Sequence, residues 1–172
     1  MSTRFQISNH MRKARNTRNR PEQMLIAEII EDHLFPNITV KTEERINYIT
    51  ESHQAKWADI DIYVVWQSPE DSRPMEYLLR VMGPPHDEPR QFQKDSLQRS
   101  YLMSIHPPLR HIATVIDLWY YKMPITFKRN KTKLRKSDLI TAYHEISKQT
   151  RGLFHLPEHP NESWLLNSNH LK

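Results

Sequence analysis

Cysteine is absent from the 172-residue chain. There is therefore no disulfide framework and no thiolate metal site, so Cys-type zinc centres are excluded and an intracellular home is the default expectation. No apolar stretch approaches the roughly 20 residues that a membrane helix needs, and no hydrophobic run follows the basic N-terminus. Neither a membrane partner nor a secretory leader is expected. Glycine occurs only twice, so each occurrence marks a place where backbone freedom is worth asking about. The length suits one domain with a core, plus tails: a basic arm over 1–17, a domain over 18–150 and an irregular tail over 151–172.

Acid is missing from the first 21 residues, MSTRFQISNHMRKARNTRNRP, which hold Arg4, Arg12, Lys13, Arg15, Arg18 and Arg20. A second block, KRNKTKLRK over 128–136, is nearly all cationic and includes Lys131, Lys133, Arg135 and Lys136. The two blocks carry about half of the 25 basic residues, so the rest of the chain is net acidic although the formal charge is +5. Segregated positive arms bind phosphate backbones through counterion release and do not read sequence. The expected partner is nucleic acid.

Periodicity supplies the order of elements. Pro21 opens a helix whose apolar face is Ile26, Ile29, Ile30 and Leu34, ending near Pro36; Glu22 faces inward one turn before Ile26. A short strand, NITVK, follows. In WADIDIYVVW the alternation sets Ile60, Ile62, Val64 and Trp66 on one face and Asp59, Asp61, Tyr63 and Val65 on the other, so two carboxylates share a face. QSPEDSRP is a turn and EYLLRVM the second hairpin strand, stopped at Gly83. A helix over 90–105, a buried strand in RHIATVIDLWYY, and a helix capped by Ser137 and running through Lys148 complete the order α, β, β, β, α, β, α. His155, His159 and His170 lie among prolines without helical metal spacing. ESWLL over 162–166 is a candidate docking segment, for its own domain or for a protein partner reached through the C-terminal tail.

That order, with an acid on the hairpin strand and the Gly-x-x-His turn of MGPPH leading into the Asp-x-x-x-Arg helix of KDSLQRSYL, resembles the very-short-patch-repair (Vsr-like) branch of the restriction-endonuclease-like PD-(D/E)xK superfamily. RNRPEQML over 18–25 looks like the Arg-x-x-Pro-Glu opening of that group's first helix. The resemblance covers about residues 18–146. It implies an α/β fold with an α-β-β-β-α-β core, a mixed central sheet flanked by helices, and magnesium-dependent endonuclease chemistry on DNA. ADID stands where the family's metal-binding aspartate falls, so Asp59 and Asp61 are the implied metal ligands, His86 the implied helper of the attack, and Glu22 an outer-shell candidate. Gly83 is expected to let the chain turn sharply where a side chain would crowd it.

The chain also departs from that pattern. Family members carry an acid and a lysine, or two acids, two residues apart on the third strand; here those positions are Arg80 and Met82. Arginine has five donors and no acceptor, so Arg80 suits a phosphate and cannot replace a carboxylate ligand. Two functions follow as expectations. One is a nucleic-acid-binding endonuclease, its altered site built from Asp59, Asp61, His86 and Mg2+. The other is a catalytically inactive binding or assembly module on the same fold.

Overall fold

The computed structural model describes residues 21–105, 109–119 and 134–172. Arg12, Lys13, Arg15, Arg18, Lys131 and Lys133, with Tyr120 and Tyr121, lie outside them. The described chain is α/β. Helix α1 (Pro21–Leu34) leads into strands β1 (Ile38–Ile49), β2 (Ala55–Trp66) and β3 (Met75–Met82), and a short 3-10 turn (Pro84–Asp87) precedes helix α2 (Pro89–Met103). Strand β4 (Ile112–Trp119), helix α3 (Lys136–Gln149) and the short helix α4 (Glu162–Asn167) follow. The four strands form one mixed sheet in the order β1-β2-β3-β4. The first three are antiparallel, and β4 joins β3 in parallel, as a strand reached through a helical crossover can.

Adjacent strand residues enter opposite cores because side chains alternate across a sheet. Ile62, Val64, Leu79 and Ile116 belong to the larger core, with Ile26, Ile29 and Ile30 of α1 and Leu139, Ala142 and Tyr143 of α3. Tyr63, Leu78 and Val115 belong to the smaller one, with Leu102 of α2. Helices therefore cover both faces. Their contributions are unequal, since Leu102 is the one buried residue in the 15 of α2, while nine of the 14 in α1 are buried.

Several sequence expectations are revised. The strand begun by NITVK runs 12 residues, to Ile49; its charged middle hides the pattern because one of its faces is open to solvent. Ile60 does not share a core with Ile62, Val64 and Trp66 but joins Ala58 in the smaller cluster. Strict alternation fails there because the ladder breaks at Asp61. Helix α3 is flanked by Arg135 with no side-chain cap, and Ser137 lies inside it. Gly83 has φ −96° and ψ −179°, extended backbone open to any residue, so no left-handed turn accounts for it.

Residues 151–172 are largely irregular in backbone, apart from α4, but they pack on the domain. Trp164 and Leu165 of α4 and Phe154 belong to the larger core, and Leu134 pairs with Leu171 in an isolated parallel bridge. ESWLL therefore docks on its own domain, and Leu166 is its one apolar residue left exposed. His33 fixes this segment. Its ring lies 4.6 Å from Tyr143 and 5.3 Å from Trp164; Nδ1 bonds the Ile29 carbonyl at 2.7 Å, and Nε2 accepts the Asn161 N–H at 2.9 Å. Accepting at Nε2 requires the neutral ring. Burial, the largest influence, holds the His33 pKa below its ordinary 6.5, against the opposing pull of the Ile29 carbonyl and Asp32.

Two stability outcomes follow. A depressed histidine pKa contributes stability that is present above pH 6.5 and lost as the pH falls through the folded-state value. Denaturant unfolding should show the wild type losing stability relative to His33→Gln as the pH drops below 6.5, with no such divergence at higher pH. Trp164 is 1% exposed, so Trp164→Ala should cost about 3–5 kcal/mol in the same assay.

Candidate functional site

Asp61 is where the β1–β2–β3 ladder breaks. Its register partner on β1 would be Glu43, which adopts φ +60° and drops out of the pairing between Thr42 and Glu44. On the other side, β2 and β3 part beyond Ile62 and Leu79. Side chains take over the lost main-chain bonds. Gln23 Nε2 of α1 donates to the Asp61 carbonyl at 2.6 Å and to Glu43 Oε1 at 3.1 Å, and Asp61 Oδ2 accepts the Val81 N–H at 2.7 Å. A non-glycine residue at positive φ inside a strand costs of order 1–3 kcal/mol and persists only where neighbours over-determine it. Here the neighbours are Gln23 and Asp61.

The break opens a cleft of about 330 Å³, lined by Gln23, Glu43, Asp59, Asp61, Arg80 and His86 together with Val81, Met82, Asp95 and Gln98. Asp59, Asp61, Arg80 and His86, separated in sequence, thus meet in one place. Glu22 is buried and is not among the lining residues; the neighbouring Gln23 is the α1 side chain that reaches the cleft. Arg135 and Lys136 stand elsewhere, at the start of α3, where Lys136 lies 3.6 Å from Glu162.

Arg80 is 5% exposed. Its Nε and Nη2 donate to the two oxygens of Asp117 on β4 at 2.7 and 2.9 Å, and Nη1 donates to the Asp95 carbonyl at 3.0 Å and to Gln98 Oε1 at 3.2 Å. Four of its five N–H groups are spent within the protein. The expected phosphate contact thus meets a guanidinium committed to β4 and α2. Arg99 adds a second cation, 3.8 Å from Asp117.

No protein-family model matches the chain, and no curated protein or solved structure is significantly similar to it. The chemistry of the cleft must be read from its own atoms.

Each cleft carboxylate already accepts a hydrogen bond. Glu43 takes one from Gln23, Asp59 is bonded by Arg45 at 2.9 and 3.4 Å, and Asp61 takes Val81. Asp95 takes Gln91 Nε2 at 2.9 Å and His86 Nδ1 at 2.7 Å. Magnesium demands near-octahedral oxygen ligation at about 2.0–2.1 Å. Among the described residues no group of three or more His, Asp or Glu is arranged to hold a metal ion, and the buried guanidinium of Arg80 would oppose a dication beside it. An ionised Asp95 only accepts, so His86 donates through Nδ1, and its Nε2 in the neutral ring is an acceptor.

Sequence reasoning missed Glu43, Gln23 and the Asp117 partner of Arg80. Gln23 and Glu43 carry no motif, because their roles arise from the break in the ladder. Asp117 carried a signal: an acid inside the apolar run IATVIDLW needs a cation.

The network around Arg80 yields a quantitative expectation. Arg80→Ala leaves Asp117 partly buried without its main partner and removes two bonds that hold α2, and should destabilise by about 3–5 kcal/mol. Exchanging both partners for apolar residues, Arg80→Met with Asp117→Leu, should recover most of that loss in denaturant unfolding. Equal destabilisation by the single and double variants would contradict the pairing.

Proposed function

We propose that the protein is a nucleic-acid-binding module, with DNA as its ligand, built on a restriction-endonuclease-like core that does not cut. The observation that carries this reading is Arg80 lying in the cleft, bonded to Asp117, where the family resemblance calls for a carboxylate. A phosphodiester-cleaving centre must deprotonate a water and neutralise charge growing on phosphate, usually through a divalent ion. Here the cleft carboxylates are engaged as hydrogen-bond acceptors, and the nearest cation is a side chain already paired. Support for binding comes from the two basic blocks, whose positive charge is segregated from a net acidic remainder. Binding of this kind is tolerant of sequence.

One observation favours a second reading. His86, oriented through Nδ1 by Asp95, has the form of a base with its positioning partner. On that reading the protein is a magnesium-dependent endonuclease with an altered site, its metal carried by Asp59 and Asp61.

The two readings part in one experiment on the purified full-length protein. Duplex, mismatched, branched and single-stranded DNA are incubated with Mg2+ or Mn2+, and binding is followed across a salt series. The binding-module reading expects no cleavage and an affinity that falls with log salt. Deleting residues 1–17 and neutralising Lys131, Lys133, Arg135 and Lys136 should weaken binding and flatten the slope by roughly 0.7–0.9 per lost phosphate contact. Metal-dependent cutting that disappears in the Asp59→Asn, Asp61→Asn double variant would install the second reading instead. Unchanged affinity and slope after removing both blocks would mean that they are not the nucleic-acid surface.

A further inference from the structure

Beyond the break at Asp61, β1 and β2 continue without β3 as a two-stranded ribbon, since the last β2–β3 pair is Ile62 with Leu79. One ribbon face is covered. Ile46, Tyr48, Ala58 and Ile60 belong to the smaller core, and Tyr48 stacks on Tyr101 of α2 at 5.7 Å with the rings 16° apart. The other face carries Arg45, Asn47 and Ile49 from β1 opposite Asp59, Trp57 and Ala55 from β2, all exposed. Trp57 is 57% exposed and Ile49 67%.

An indole held open on a strand forgoes the large gain that burying it would bring. The arrangement around it is ordered. Arg45 lies over the Trp57 ring, its guanidinium carbon 5.1 Å from the ring centroid, while Nε and Nη2 bond Asp59. Asp59 in turn lines the cleft. The open face is therefore continuous with the candidate site, and its members are of three kinds: a flat aromatic, a fixed guanidinium and the amide of Asn47 directly across from Trp57.

We propose that this ribbon face is a stacking platform for an unpaired base of single-stranded DNA, with Trp57 as the stacking side chain. The inference rests on the nucleic-acid-binding reading above and names the form of nucleic acid that the site takes. A base within a duplex has both faces covered by its neighbours, so an exposed indole stacks at least cost on a base of an unpaired strand, with no base step to open. Stacking of this kind is sequence-tolerant, as every base presents a π-face, and Asn47 has donors and an acceptor for a base edge. Arg45 keeps Nη1 outside its bonds to Asp59. A protein partner or a second copy fits less well, because a stable interface needs about 800 Å² per partner and the apolar part of this face is Trp57 and Ile49 set among polar groups.

The test uses the full-length protein, oligo(dT) and a 5-iodouracil-substituted strand for photo-cross-linking, with circular dichroism to confirm that each variant is folded. The cross-link is expected on the peptide containing Trp57. Trp57→Ala should lower oligo(dT) affinity by about fivefold to a hundredfold, matching the usual worth of one base–aromatic stack, with the salt slope unchanged; Trp57→Phe should retain most of the binding. Wild-type affinity in Trp57→Ala, or a cross-link confined to other peptides, would overturn the platform while leaving salt-dependent binding by the basic blocks standing. No binding of the wild type to any nucleic acid would instead remove the reading on which the platform rests. Tighter binding to oligo(U) RNA than to oligo(dT) would overturn the choice of DNA. A self-associated wild type that Trp57→Ala converts to monomer would make the face a contact between copies.

Discussion

The bidentate pair between Arg80 of β3 and Asp117 of β4 ties the two parallel strands together through their side chains, and the same guanidinium reaches α2 through the Asp95 carbonyl and Gln98. Helix α2 depends on those bonds to an unusual degree, because Leu102 is its one buried residue. A helix normally docks by an apolar stripe. This one docks largely by hydrogen bonds, to Arg80 and between Asp95 and His86. Taking an ion pair out of water costs several kcal/mol per ion, so such a pair is retained for the geometry that it imposes more than for net stability. Here the geometry is the position of α2 over the cleft.

The other organiser is Asp61. Its carboxylate serves as an acceptor for Val81 where the strand ladder has ended, and Gln23 covers its carbonyl. The break turns Ile60 into the smaller core and leaves Ile62 in the larger, so the ribbon beyond it packs on α2 and presents Trp57 outward. Cleft and platform thus have one cause. A similar polar anchor holds the opposite end of β3: Glu76 accepts from Tyr63 and Arg110, each at 2.5 Å, and from the His111 N–H at 2.9 Å. Burial alone would raise the Glu76 pKa, but these partners outweigh it and hold the group below its ordinary value. Burial, followed by the bond to Glu76, pushes the Tyr63 hydroxyl up to about 12.

Much of the fold was legible from periodicity. The helix opened by Pro21, the strand WADIDIYVVW, the strand stopped before Gly83 and the helix after the Pro-Pro turn all stand within a few residues of their expected places, as does the order in which they occur. The gathering of Asp59, Asp61, Arg80 and His86 was legible as well, because two strand acids and a turn histidine were read against a sheet. What escaped was non-local. Nothing in the first strand's sequence announces a left-handed Glu43, and without it Ile60 reads as a companion of Ile62. Glu22 and Gln23 are adjacent polar residues at one helix start, and which of them reaches the cleft depends on how the helix is rotated against the sheet. The C-terminal segment, broken by prolines, shows no periodicity, yet Trp164 is buried by tertiary packing around His33 and Tyr143.

On the proposed reading Arg80, bonded to Asp117, takes the place that the family resemblance gives to a carboxylate, and the protein binds nucleic acid without a metal centre that cuts it. Manganese titration of the full-length protein, followed by electron paramagnetic resonance of the free ion, tests that claim most directly, since Mn2+ occupies the same oxygen-rich sites as Mg2+. The account predicts that free manganese rises in step with the amount added, with no stoichiometric uptake by the wild type or by the Asp59→Asn, Asp61→Asn variant. Uptake of one ion per chain in the wild type, lost in that variant, would contradict it.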